Sequence, residues 1–203
     1  MKMGNDPEVQ LFPKGVNKPG VNFNYPEMEG ALDKRILKKA NDLIAKKVRH
    51  LLRAQGYRAD AAVAIEGGYQ IKLNAKNLLS IRLEAVKPEG EGSRVSQIKT
   101  LTLDLKTGEL VKFRDLFNDD CDYASRLNEL IRAALTAREA AAAEQFGGVI
   151  KRQEFYLTDD HLVLLLAKPE SVTAEWLAPE IEIGYGKVAD LVYKNGPLGR
   201  LLA

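Results

Sequence analysis

The sequence predicts an α+β fold in which two helices pack on antiparallel β-sheets, arranged as two sequential subdomains. Three observations carry that expectation. Residues 36–52 place apolar side chains at three- and four-residue steps, the helical period. Several stretches between 63 and 113 alternate apolar and polar residues instead, the period of a strand with one wet face. A second helical stretch near 121–145 is followed by further short apolar runs, so helices and strands are segregated rather than strictly alternating.

The chain opens with Pro- and Gly-containing residues 1–20, which read as a flexible segment. VNFNYP, with Val21, Phe23 and Tyr25 on one side, predicts a short strand ending at Pro26. Ile36, Leu37, Ala40, Leu43, Ile44, Val48, Leu51 and Leu52 then form one stripe of a helix that Gly56 stops. Val63 and Ile65, a Glu66-Gly67-Gly68 turn, and Tyr69, Ile71 and Leu73 predict a hairpin. Leu79, Ile81, Leu83 and Ala85 continue the sheet, and residues 87–97 read as a polar loop. Leu101, Leu103 and Leu105 make a strand, a turn follows at Lys106-Thr107-Gly108-Glu109, and Val111 with Phe113 begins a return strand. These elements define a first subdomain over 21–117. The second, 118–203, holds the helix with Leu127, Leu130, Ile131, Ala134 and Leu135, then strands at Phe155–Leu157, Leu162–Leu166 and Ile181–Ile183, and a short helix in KVADLVY.

Composition narrows the function classes. The formal net charge is only +2, with 45% hydrophobic and 29% charged residues, as in an ordinary globular protein with no concentrated basic surface for nucleic acid. No apolar run is long enough to span a membrane. The single cysteine, Cys121, excludes an internal disulfide and a multi-cysteine metal knuckle.

The chemistry-bearing residues each meet a simpler reading. YLTDDHLVLLL sets Asp159, Asp160 and His161 between two apolar runs, where Asp favours a tight turn over general acid-base work. NDDCD lacks the ligand spacing of a calcium loop and predicts a cap for the following helix. Neither His50 nor His161 belongs to a metal-binding spacing, so no metal or cofactor is expected. DKRILKKANDLIAKKVRHLLR is basic and amphipathic, which suits the solvated face of a core helix.

Three stretches together resemble one family: NFNYPEMEG before a helix, LTLDLKTGELVKFRDLFNDDCDYASRLNELI, and FYLTDDHLVLLL followed by PEIEIGYGKVADLV. They look like the bacterial extracytoplasmic domain of the lysozyme-sensing anti-sigma factor, which also resembles the region preceding the catalytic part of a peptidoglycan deacetylase. The chain departs from that pattern in GEGSRVSQ, which lacks a histidine, and at Pro169, Thr173 and Leu177. The resemblance implies a non-catalytic extracytoplasmic module of the cell envelope, its signal or anchor lying outside this chain, that recognises a secreted protein or a wall glycan. The rival readings are a cell-wall hydrolase or deacetylase, or an accessory domain of one, and a structural spacer. For a binding site the expectation falls on Trp176, Leu177, Pro179 and Glu180 of the WLAPE connection, and on Glu91 and Arg94 of the loop at 87–97.

Overall fold

The apolar stripe predicted for residues 36–52 is the inner face of a helix, α1 (Lys34–Ala54), in a computed structural model that describes residues 9–16, 18–30, 32–58, 63–90, 92–138, 140–166 and 179–202. The chain divides into two units, 1–110 and 111–203. In the first, α1 lies on a six-stranded sheet of β1 (Gln10–Gly15), β2 (Val21–Glu29), β3 (Ile65–Ala75), β4 (Leu78–Pro88), β5 (Arg94–Asp104) and β6 (Glu109–Leu110), in that spatial order. All neighbours are antiparallel except β2 and β3, which run parallel because α1 forms the crossover between them. Ala40, Ile44, Val48 and Leu51 are buried against Phe23, Ile65, Leu79, Ile81, Leu83, Leu101 and Leu103.

Polar contacts fix how α1 is rotated on that sheet. Asp33 caps its start by accepting from the Arg35 amide at 2.7 Å, and this bond holds the Asp33 carboxyl below its ordinary range. Asn41 bonds β2 twice, accepting from the Met28 amide at 2.8 Å and donating to the Met28 carbonyl at 3.0 Å. Past the helix, the buried Gln55 side chain donates to the carbonyls of Ala85 and Val95 at 2.6 and 3.0 Å, tying the end of α1 to β4 and β5.

Several local expectations are corrected. Residues 10–15 form β1 where the composition predicts loop, and β2 continues past Pro26 to Glu29. Pro26 stands opposite Pro13, and the pairing of β2 with β3 has already stopped at Phe23, so the missing amide of Pro26 breaks no ladder. Gly67 and Gly68 are no turn; they lie inside β3. A side chain at Gly67, whose φ is +156°, would put its Cβ 2.1 Å from the Glu84 carbonyl oxygen of β4, so glycine is required by close backbone approach. The loop expected at 87–97 shrinks to 89–93, because β4 and β5 pair out to Pro88 and Arg94. The return strand is only two residues long, and Phe113 belongs to a 3-10 turn, Phe113–Leu116, capped by Asp115 accepting from the Lys112 amide at 2.9 Å.

The second unit holds a three-stranded antiparallel sheet of β7 (Glu154–Leu157), β8 (His161–Leu165) and β9 (Glu180–Gly184). The run from Leu162 to Leu165 is buried on both faces of the sheet, as a continuous apolar strand must be. The helical stretch is two helices, α2 (Tyr123–Arg138) and α3 (Ala140–Gln145), and Arg132 joins them by donating to the Ala143 and Phe146 carbonyls at 3.3 and 3.1 Å. Asp122 caps α2, accepting from the Ser125 amide and hydroxyl at 3.1 and 2.6 Å. Phe113, Phe117, Tyr123 and Phe155 share edge, tilted and stacked ring contacts, with Phe117 and Tyr123 stacked at 4.5 Å. The helix expected in KVADLVY is two 3-10 turns, and a final helix, α4 (Pro197–Leu202), follows.

On the polar face of β4 and β5, Glu84 accepts from Ser96 Oγ at 2.6 Å and from Arg82 Nη1 at 2.8 Å. Burial pushes the Glu84 carboxyl up, but the bonds from Ser96 and Arg82 outweigh it and leave the group below its ordinary value. Its stabilising contribution is therefore complete above about pH 4.3 and is lost as pH falls through the lowered value. Ser96→Ala is expected to move the acid-unfolding midpoint to higher pH, read by circular dichroism; an unchanged midpoint contradicts this. Gly67→Ala is expected to cost at least about 2 kcal/mol in urea unfolding, and a neutral result would show that β3 and β4 can separate there without penalty.

Candidate binding surface

The residues that first suggest catalysis build the β7–β8 turn. Leu157 pairs with Leu162, and Thr158 bridges the bend: its amide donates to the His161 carbonyl at 3.0 Å while its Oγ1 accepts from the His161 amide at 3.0 Å. Tyr185 locks the turn from below, its hydroxyl donating to the Thr158 carbonyl at 2.7 Å and its amide to the Asp160 carbonyl at 3.2 Å. Burial drives the Tyr185 hydroxyl well above its ordinary pKa. The Asp160 side chain remains 76% exposed, with His161 Nδ1 2.7 Å from its Oδ1, and that bond holds the carboxyl below its usual range. Asp159, Asp160 and His161 thus form a hairpin tip.

The residues expected to bind a partner fall in different places. Trp176, Leu177 and Glu91 lie outside the described residues. Pro179 and Glu180 are in the second unit: the Pro179 carbonyl accepts from the Leu166 amide at 3.1 Å, and Glu180 opens β9. The Glu180 side chain accepts from the Tyr156 hydroxyl at 2.5 Å and its carbonyl from Arg138 Nη1 at 3.1 Å, so it is engaged in holding its own sheet. Arg94, in the first unit, opens β5 and donates to Glu66 at 2.6 Å on the surface.

A larger charged feature lies on α1. At 100° per residue, Arg35, Lys38, Lys39, Asp42, Lys46, Arg49, His50 and Arg53 fall within about 60° of one line along the helix, opposite the buried stripe. All are exposed. From Arg35 to Arg53 the row runs about 27 Å at 1.5 Å per residue. Arg35, Lys38, Lys39, Asp42, Leu43 and Lys46 line a shallow recess of about 420 Å³. Three acids reach the row: Asp33 stands 3.6 Å from Arg35, Asp42 stands 3.2 Å from Lys38, and Glu109 pairs with Lys39.

The whole-chain charge conceals this surface. Residues 1–110 carry nineteen Lys and Arg against thirteen Asp and Glu, whereas 111–203 carry eleven against fifteen, so a basic unit is followed by an acidic one. Counting charge by unit, once the boundary is known, is the signal that the near-neutral total hides. Among the described residues no three His, Cys, Asp or Glu side chains are grouped as a metal ion would need, and no helix is long and apolar enough to cross a membrane.

No protein-family model matches the chain, and no curated protein matches it by sequence. Solved structures do match by fold. A member of the DUF3298 family from Bacteroides fragilis superposes with a TM-score of 0.69 at 16% identity, over 98% of this chain and 99% of that one. A DUF3298 family protein from Pseudomonas aeruginosa superposes with a TM-score of 0.67 at 12% identity, over 94% of this chain and 97% of that one. At such identities the likeness is one of fold, and the fold of this chain is that of these two DUF3298 family proteins.

Proposed function

We propose that the chain is a non-catalytic, extracytoplasmic binding module of the bacterial cell envelope. The observation that carries this reading is the row of exposed cations along α1, a charged surface borne on a helix whose rotation is fixed by Asn41, Gln55 and the buried stripe. A fixed helix beneath the row suits recognition, since the backbone that carries the charges loses little entropy on binding. Three acids hold local structure: Asp160 at a hairpin tip, Asp122 at a helix cap, and Glu84 in a pair with Arg82 and Ser96. The compartment is proposed on the resemblance of the three sequence stretches to anti-sigma factor ectodomains.

The test is co-sedimentation of the full chain with purified cell-wall sacculi that retain their anionic polymers, alongside an assay for released reducing sugar and acetate. Saturable binding with no product above a heat-denatured control is the expected result. Released sugar or acetate would favour a hydrolase or deacetylase, and binding that rises linearly without saturation would favour a structural spacer.

A further inference from the structure

We propose that the outer face of α1 docks a linear phosphate-bearing polyanion, which deepens the binding-module reading and rests on it. The first support is the cost the helix bears to keep this face cationic. Arg35 with Lys38 and Lys39, Lys46 with Arg49, and Arg49 with Arg53 are spaced three or four residues apart, where like charges destabilise a helix by about 0.2–0.5 kcal/mol per pair, a cost that Asp33, Asp42 and Glu109 offset for the first three cations. α1 also begins with Lys34 and Arg35 and has no acid in its first turn, so the Asp33 carboxylate at the N-cap is what meets the helix dipole there. Ordinary solvation would be served as well by alternating glutamate and lysine. A surface that keeps cations at the expense of stability is one whose charge is used.

Shape and chemistry choose among anionic partners. The cations follow one line along the helix, so a chain can contact them in succession and release several counterions together. Arg35, Arg49 and Arg53 offer planar guanidinium groups that match phosphate oxygens in pairs, and Lys38, Lys39 and Lys46 add point charges beside them. α1 contains no Phe, Tyr or Trp, so His50 is the one ring it brings to the row and nucleobases find little there to stack on. An anionic bilayer fits less well. The apolar face of α1 is buried on the sheet and cannot insert.

The experiment titrates the full chain with long-chain sodium polyphosphate at several salt concentrations, with parallel arms of triphosphate, single-stranded oligo-dT of equal charge, and phosphatidylglycerol vesicles. Expected are saturable polyphosphate binding, much weaker triphosphate binding, and an affinity that falls with salt at about 0.7 in the log-log slope per contacted phosphate. The variant R35Q/K46Q/R49Q should bind about tenfold more weakly and flatten the slope by about 2. It should melt no lower than the parent, because it relieves like-charge pairs. K18Q/K76Q/K106Q removes the same charge from exposed sites off the helix and should retain affinity.

Equal losses in the two triple variants would overturn the site, as would tighter binding to oligo-dT than to polyphosphate, or vesicle binding that polyphosphate fails to displace. If polyphosphate does not bind while R35Q/K46Q/R49Q still sediments saturably with sacculi, the α1 site is wrong and the binding-module reading stands. If neither ligand binds, both are wrong.

Discussion

The packing of one helix stripe on one sheet face determines most of the first unit. Ala40, Ile44, Val48 and Leu51 must leave water, and the face made by Phe23, Ile65, Leu79, Ile81, Leu83 and Leu103 is what they meet. Each large side chain buried there contributes on the order of 1.5–3 kcal/mol. The crossover through α1 also sets β2 and β3 parallel, which brings Gly67 beside both Phe23 and Ala85. A glycine in mid-strand, a parallel pair in an otherwise antiparallel sheet, and a proline tolerated in β2 all follow from where this helix sits.

The same constraint fixes what faces outward. A helix with one side committed to a core has no choice about which residues it offers to solvent, and here those residues are mostly cations, with Asp42 among them, spaced along a single line. Asn41 and Gln55 add the directional part, since apolar contacts alone would tolerate some rotation of α1 about its axis. The inner stripe holds the helix down, while the outer row sets like charges three and four residues apart that Asp33, Asp42 and Glu109 partly offset.

Elements with strong periodicity were legible in the residues. The stripe from Ile36 to Leu52, the apolar run of β8, and the bend at Thr158–His161 all rest on local patterns that tertiary packing reinforces. What was not legible depended on partners distant in sequence. Gly67-Gly68 has the local chemistry of a turn, and only the approach of Glu84 to within 2.1 Å of a hypothetical side chain explains its place in β3. β1 contains Pro13 and no buried residue, so its strand character comes from pairing with β2 rather than from its own pattern. The polar ends of β4 and β5 likewise extend because each completes the ladder of the other. The basic row was visible in the letters, but the excess of cations in its unit required knowing where the chain divides, since an acidic excess after residue 110 brings the total close to neutral.

Lysine acetylation footprinting by mass spectrometry, with and without polyphosphate, probes most directly whether the buried stripe turns a working surface outward. Selective protection of Lys38, Lys39 and Lys46, with Lys18, Lys76 and Lys106 labelled equally in both states, is the result this account predicts. Protection spread evenly over all lysines, or confined to sites off α1, would contradict it.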